Sequence, residues 1–163
     1  MLSVNDDVLS VRTSGANLRQ ATAADLSGIE ELLLRNKLPS DGVREASEDF
    51  IVAEIDGSAV GAIGLEVYGN VALLRSAVVS EGHRGTGLGA RLVNGILVHA
   101  RARLVHSVYL LTTTAEDYFP RFGFATIPRA EVPPEVKQSV EFRGACPDSA
   151  VVMVRTLESR PRE

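Results

Sequence analysis

One cysteine, Cys146, no tryptophan and an aromatic content of only 5% mark this 163-residue chain. A single thiol cannot form an internal disulfide, so a packed core must hold the fold together. The means are present, since 45% of the residues are hydrophobic and the length suits one ordinary domain. Long apolar runs are missing, and none approaches the roughly 18–20 residues of a bilayer-crossing helix. The opening residues, Met1 to Asp7, lack the basic and apolar stretches of a secretion signal. These absences lead us to expect a cytoplasmic protein with no membrane partner. An excess of basic charge is missing too, with 17 Lys and Arg against 21 Asp and Glu and a net charge of −4. Nucleic-acid binders usually display a basic stripe, so no nucleic-acid partner is expected. The densest arginine cluster, residues 155–162, reads as a solvated tail. His83, His99 and His106 show no metal-ligand spacing, and no metal is expected.

What is there reads as a single domain over residues 18–157, after an unpatterned extension (1–17) and before a polar tail (158–163). Residues 18–21 alternate as a short strand does. Thr22 then starts a helix, with Asp25 in its first turn to meet free backbone N–H groups. Leu26, Ile29 and Leu33 follow at helical spacing, and Pro39 closes the segment. Three strand-like runs come next, at residues 49–55, 58–68 and 71–79. Asp56-Gly57 and Gly69-Asn70 separate them as tight turns, which predicts an antiparallel meander. A second helix carries Leu88, Leu92, Val93, Ile96, Ala100 and Leu104 on one face. Residues 106–112 form a further strand, 115–121 a short helix, and 149–157 the last strand. Right-handed crossover puts the strand at 71–79 beside, and parallel to, that at 106–112. The expected fold class is α/β (α+β) with a mixed, mostly antiparallel central sheet flanked by helices.

The chemistry concentrates in Arg84-Gly85-Thr86-Gly87-Leu88-Gly89 at the mouth of the second helix. Glycines at alternate positions let backbone approach a ligand without a side chain between them. The first-turn N–H groups lack intrahelical partners and sit at the positive end of the helix dipole. Together they suit a phosphate or pyrophosphate. A dinucleotide fingerprint fits poorly. Residues 80–84 separate the glycines from the strand, no acidic residue lies in 105–111, and the preceding strands are hairpin-linked. A P-loop is excluded because no Gly-Lys-Ser/Thr follows.

The run Val78-Val79-Ser80-Glu81-Gly82-His83-Arg84-Gly85-Thr86-Gly87-Leu88-Gly89 resembles motif A of the GNAT N-acetyltransferases, with Arg84, Gly87 and Gly89 at its defined positions. Tyr118-Phe119-x-x-x-Gly123-Phe124 resembles motif B. The resemblance covers roughly residues 18–157. It implies the GNAT fold, with two splayed parallel strands, and acetyl-CoA as co-substrate. More narrowly, Gly64-Leu65-Glu66, the stretch from Ala72 to Val78, that from Leu110 to Ala115, and Cys146-Pro147-x-Ser149-Ala150 resemble the small GNAT proteins of arsenic-resistance operons (the ArsN type). These are similar in turn to the acetyltransferase domain of N-acetylglutamate synthases. An amino-acid-like amine is the acceptor this implies.

The resemblance also implies roles. The pyrophosphate would rest on Arg84, Gly85, Thr86, Gly87, Leu88, Gly89 and Ala90. Backbone groups of Ala77, Val78 and Val79 would pair with the pantetheine arm, and the Val78 N–H would polarise the thioester carbonyl. Phe119 would flank the coenzyme, standing where many members carry the tyrosine that protonates the leaving thiolate. That leaves the acid role unassigned. Glu66, breaking an apolar strand beside the notch, is the candidate general base, against a solvated strand residue or an ion pair with Arg75. Arg75 is the candidate clamp for an acceptor carboxylate, against the same ion pair. Thr112, Thr113 and Thr114 could offer hydroxyls near the notch, with Thr112 and Thr113 placed at the acceptor, or could only end their strand. Cys146 reads as a small, partly buried side chain. The expected partner is a small-molecule amine, and the state a monomer or homodimer. A non-catalytic acyl-CoA-binding module and a peptide or lysine acetyltransferase remain as alternatives.

Overall fold

A computed structural model describes residues 15–145 and 148–157. Seven strands form one sheet: β1 (Asn17–Gln20), β2 (Phe50–Ile55), β3 (Ser58–Tyr68), β4 (Val71–Val79), β5 (Ser107–Thr112), β6 (Ala125–Ile127) and β7 (Val151–Thr156). Their order is β1-β2-β3-β4-β5-β7-β6. Every neighbouring pair is antiparallel except β4 and β5. Three helices accompany it: α1 (Leu26–Arg35), α2 (Leu88–Ala102) and the one-turn α3 (Pro134–Lys137). The mixed, mostly antiparallel sheet and the parallel β4–β5 pair match the expectation.

Side-chain alternation splits the core into layers. Ile63, Leu65, Leu74 and Val79 face α2, whose buried stripe is Leu88, Leu92, Val93, Ile96, Leu97 and Ala100. On the other face Phe50, Val52, Ala62 and Val78 pack against Ile29 and Leu33 of α1. A third cluster lies further along that face, where Val132 and Val136 cover Leu73 and Val152. Gly64 is needed between the first strands, since a Cβ there would meet the Phe50 ring at 2.3 Å. Burial of this kind, at roughly 25 cal/mol per Å² of apolar surface, supplies the stability that no disulfide provides.

Several expectations change. Thr22 caps the first helical segment as expected, in a reciprocal capping box with Asp25, but the first turn (Ala23–Asp25) is 3-10 and α1 begins at Leu26. Residues 115–121 do not form a helix but a turn that tightens into 3-10 geometry at Phe119–Phe122, ending at the left-handed Gly123. Leu104 leaves the α2 face. The helix ends at Ala102, Leu104 takes φ +62° and is 82% exposed, and Val105 is buried instead. Arg155 is no solvated tail residue, for it lies in β7 and donates to the Phe122 carbonyl at 2.6 Å. The extension at residues 1–14, the tail at 158–163 and Cys146 lie outside the described residues.

Candidate active site

The parallel pairing of β4 and β5 is short. Val71 to Leu74 register with Ser107 to Leu110, and there it stops. The cause is a bulge in β4. Gly64 pairs with Arg75 and Ala62 with Val78, so two residues of β4, Ser76 and Ala77, oppose the single Ile63. Ser76 takes φ +59°, a left-handed conformation that costs a non-glycine residue about 1–2 kcal/mol. The kink bends β4 from β5 and opens a notch of about 120 Å³, walled by Leu74, Arg75, Ala77, Leu111, Thr112 and Phe119 among others.

The bulge also sets which backbone groups face the notch. Ser80 N–H donates to the Val60 carbonyl of β3 at 2.8 Å. Amide groups alternate along a strand, so Val78 N–H points to β3 as well, in register with Ala62. Ala77 and Val79 then turn their amides to the notch, and Val79 O does meet the Arg84 Nε at 3.2 Å. Val78 therefore cannot be the polarising donor. The amides turned to the notch are those of Ala77 and Val79, because one extra residue in β4 inverts the parity a regular strand would have.

Beyond β4 the glycine-rich loop bends through two left-handed glycines. Gly85 and Gly87 both have φ +79°, open to glycine at little cost. Gly87 is the N-cap of α2, and the first intrahelical bond runs from Arg91 N–H to Gly87 O at 3.2 Å. The amides of Leu88, Gly89 and Ala90 thus have no carbonyl of the helix to bond. Thr86 Oγ1 donates to the His83 carbonyl at 2.7 Å, pinning the loop. Arg84 braces rather than projects: besides Val79 it binds the Asn36 side chain at the end of α1. The concave backbone has room for a pyrophosphate, and Arg84 braces the loop.

Inside the notch stands Arg75, which is almost wholly buried. Its Nε donates to Ser76 Oγ at 3.0 Å, and its Nη1 to Glu66 Oε2 at 2.6 Å. The other Glu66 oxygen accepts from the Tyr68 hydroxyl at 2.5 Å. Burial, and then the bond to Glu66, push the Tyr68 phenol well above its usual range, so it stays a donor. Nη2 of Arg75 is buried and, among the described residues, meets no hydrogen-bond acceptor. Its nearest carboxylate is Glu141 Oε2 at 3.7 Å. Arg75 is thus ion-paired with Glu66, while its Nη2 lines the notch beside Glu141. Glu66 faces a second, wider cavity of about 430 Å³ with Tyr68, Glu45, Glu48, Ser139 and Arg143.

The remaining expected residues divide. Phe119 lines the notch, edge-on to Phe124 at 5.7 Å, while Tyr118 is buried in the aromatic cluster behind it. Thr112 lines the notch, but its Oγ1 accepts the Ala115 N–H at 2.9 Å and so ends β5. Thr114, not Thr113, joins the lining. Glu141 and Ser76 were not anticipated. A polar residue in an aperiodic segment carries no signal, and serine does not announce a left-handed bulge. Among the described residues, no group of three or more His, Cys, Asp or Glu side chains is placed to hold a metal ion, and no helix is long and apolar enough to cross a membrane.

Known proteins share this fold. The amino-acid acetyltransferase of Ralstonia nicotianae is 32% identical over 66% of this chain and 26% of its own length. That of Mycobacterium tuberculosis is 30% identical over 73% of this chain and 74% of its own. The chain spans about a quarter to a third of three such relatives. N-acetylglutamate synthase from Neisseria gonorrhoeae, complexed with coenzyme A and N-acetyl-glutamate, shares the fold at a TM-score of 0.75 and 22% identity, over 88% of this chain and 35% of that one. Rv2747 from Mycobacterium tuberculosis, in complex with CoA, gives 0.74 and 24%, over 87% and 99%. The family model for acetyltransferases of the GNAT type matches residues 17–124, from β1 through the glycine loop to the turn after Phe119, and the chain belongs to that family.

Proposed function

We propose that this protein transfers the acetyl group of acetyl-CoA to the amine of a small, amino-acid-like acceptor by direct attack. The observation that carries the reading is Arg75, a buried guanidinium with one end open in the notch that the β4 bulge creates. A buried cation with a spare donor fork suits an anionic group on the acceptor, and a carboxylate is the natural one. The relatives' names point to amino acids, as does the resemblance to arsenic-resistance GNAT proteins. Activity and acceptor are proposals for this chain, which matches only part of several of those relatives.

Each part of the chain then has a task. The α2 amides and the glycines before them hold the pyrophosphate. An amide of Ala77 or Val79 polarises the thioester carbonyl. Glu66 and Ser76 fix Arg75, which orients the acceptor so that amine and carbonyl carbon are held together, a large part of the rate. A thiolate leaves readily near neutral pH, so Phe119 in the acid position is no obstacle. A cytoplasmic setting, where acetyl-CoA and free amino acids meet, goes with this reading.

The test is a free-thiol release assay with acetyl-CoA against a panel of amino acids and simple amines, including glutamate-like analogues. Release with amino acids, and much less with the decarboxylated amines, is expected. Tight acetyl-CoA binding with no release for any acceptor would mean a non-catalytic acyl-CoA-binding module instead.

A further inference from the structure

Glu141 sits 66 residues beyond Arg75 in the chain, yet the two side chains share one wall of the notch. The Glu141 side chain is 7% exposed, that of Arg75 is 0%, and 3.7 Å separates Oε2 from Nη2. The remaining lining is mostly apolar, with Leu38, Pro39, Leu74, Leu110 and Phe119. Glu141 is also held in place from behind. Its own N–H donates to Ser139 Oγ at 3.1 Å, Phe142 N–H donates to the Ser139 carbonyl at 3.0 Å, and Val136 anchors the segment under Leu73. Glu66 does not line the notch; its two oxygens accept from Arg75 and Tyr68.

Resting on the acetyl-transfer reading above, we infer that Glu141 binds the acceptor's ammonium group and takes its proton, while Arg75 Nη2 binds the acceptor's carboxylate. In an α-amino acid one carbon separates these two groups. An arginine and a glutamate that almost touch, at the edge of an apolar pocket, present the matching pair of charges. Glu66 is then the positioning residue for Arg75, and Glu141 the general base.

The step balances. The acceptor ammonium gives one proton to the Glu141 carboxylate and becomes a neutral amine. Its lone pair forms the C–N bond to the acetyl carbon as the C–S bond breaks. The second nitrogen-bound proton ends on the leaving sulfur, giving the amide and the CoA thiol. Glu141 returns its proton to solvent.

The test compares Glu141→Gln and Glu66→Gln in the full chain by thiol release, using an amino acid turned over by the wild type and its aminooxy analogue, whose nitrogen is already neutral at pH 7. Glu141→Gln should lower kcat for the amino acid by about 10²–10⁴, leave acetyl-CoA affinity within a few-fold, and lose little with the aminooxy acceptor. Glu66→Gln should raise KM for both acceptors alike, because it acts through Arg75. The inference is overturned if Glu141→Gln keeps kcat within about threefold on the amino acid, or if it loses equally on both acceptors while still binding acetyl-CoA. A wild type that binds acetyl-CoA but turns over no acceptor would instead remove the acetyl-transfer reading, and this inference with it.

Discussion

Two arginines, both with carboxylates on either side, differ in what burial makes of them. Arg75 lies between Glu66 and Glu141, and breaking its buried pair with Glu66 would cost about 3–5 kcal/mol. Arg75→Lys keeps the charge and loses the fork. If the arginine clamps an acceptor carboxylate, steady-state kinetics should show a higher acceptor KM, a loss of about 1.5–3 kcal/mol, with little change for acetyl-CoA. Equal damage to both substrates would mark it as a structural ion pair alone. Arg19 lies nearer the surface between Asp25 and Glu54, at 2.8 and 2.9 Å. Its hydrogen bond, more than any other influence, holds the Asp25 carboxyl down from 3.8 to about 2. A depressed carboxylate stabilises the fold fully above its unfolded value and loses that contribution as pH falls through the folded one. Denaturant titrations should therefore show a wild-type loss between about pH 4 and pH 2 that Asp25→Asn lacks. Parallel acid profiles for the two proteins would refute this.

At the scale of elements, two irregularities make the site, the bulge in β4 and the left-handed glycines before α2. Each puts backbone amides where regular structure would have consumed them. The bulge separates β4 from β5 and turns Ala77 and Val79 inward. The glycines let the chain enter α2 with its first amides bare. Gly87→Val should abolish acetyl-CoA binding measured by calorimetry, because a branched side chain blocks approach and resists φ +79°. Circular dichroism should show the sheet and α2 retained. Unchanged affinity in a folded variant would exclude this loop as the phosphate site.

Across the whole molecule, one buried carboxylate ties distant parts together. Asp49, just before β2, accepts from His99 Nε2 at 2.8 Å and from Arg103, both near the C-terminal end of α2. It fastens that end of the helix to the sheet, while the glycine loop fixes the other end at the notch. Asp49→Ala should lower global stability by about 1–3 kcal/mol in urea unfolding, the cost of a lost buried hydrogen-bonding partner. Acetyl-CoA affinity should be unaffected, since the proposed phosphate loop lies at the other end of α2. Weaker acetyl-CoA binding at unchanged stability would show that the tie acts on the site and not on the fold.

Much of this was legible in the chain because it is local. Turn dipeptides place the β2–β3–β4 meander, helical spacing marks the buried face of α2, and alternating glycines announce an anion-binding loop whatever surrounds them. The crossover rule even set β4 beside β5. Other features depend on contacts far apart in sequence. The insertion of β7 between β5 and β6 is a choice among sheet edges that its own residues do not encode. The bulge at Ser76 exists because β3 and β4 pair out of step, and it alone reverses the direction of the Val78 amide. Glu66 and Arg75 stood out as charges in apolar strands, but which oxygen meets which nitrogen, and that Glu141 arrives from another segment, follow only from packing. Local patterns report what a backbone does to itself, whereas a site assembled from three separate segments is specified by how their buried faces close on one another.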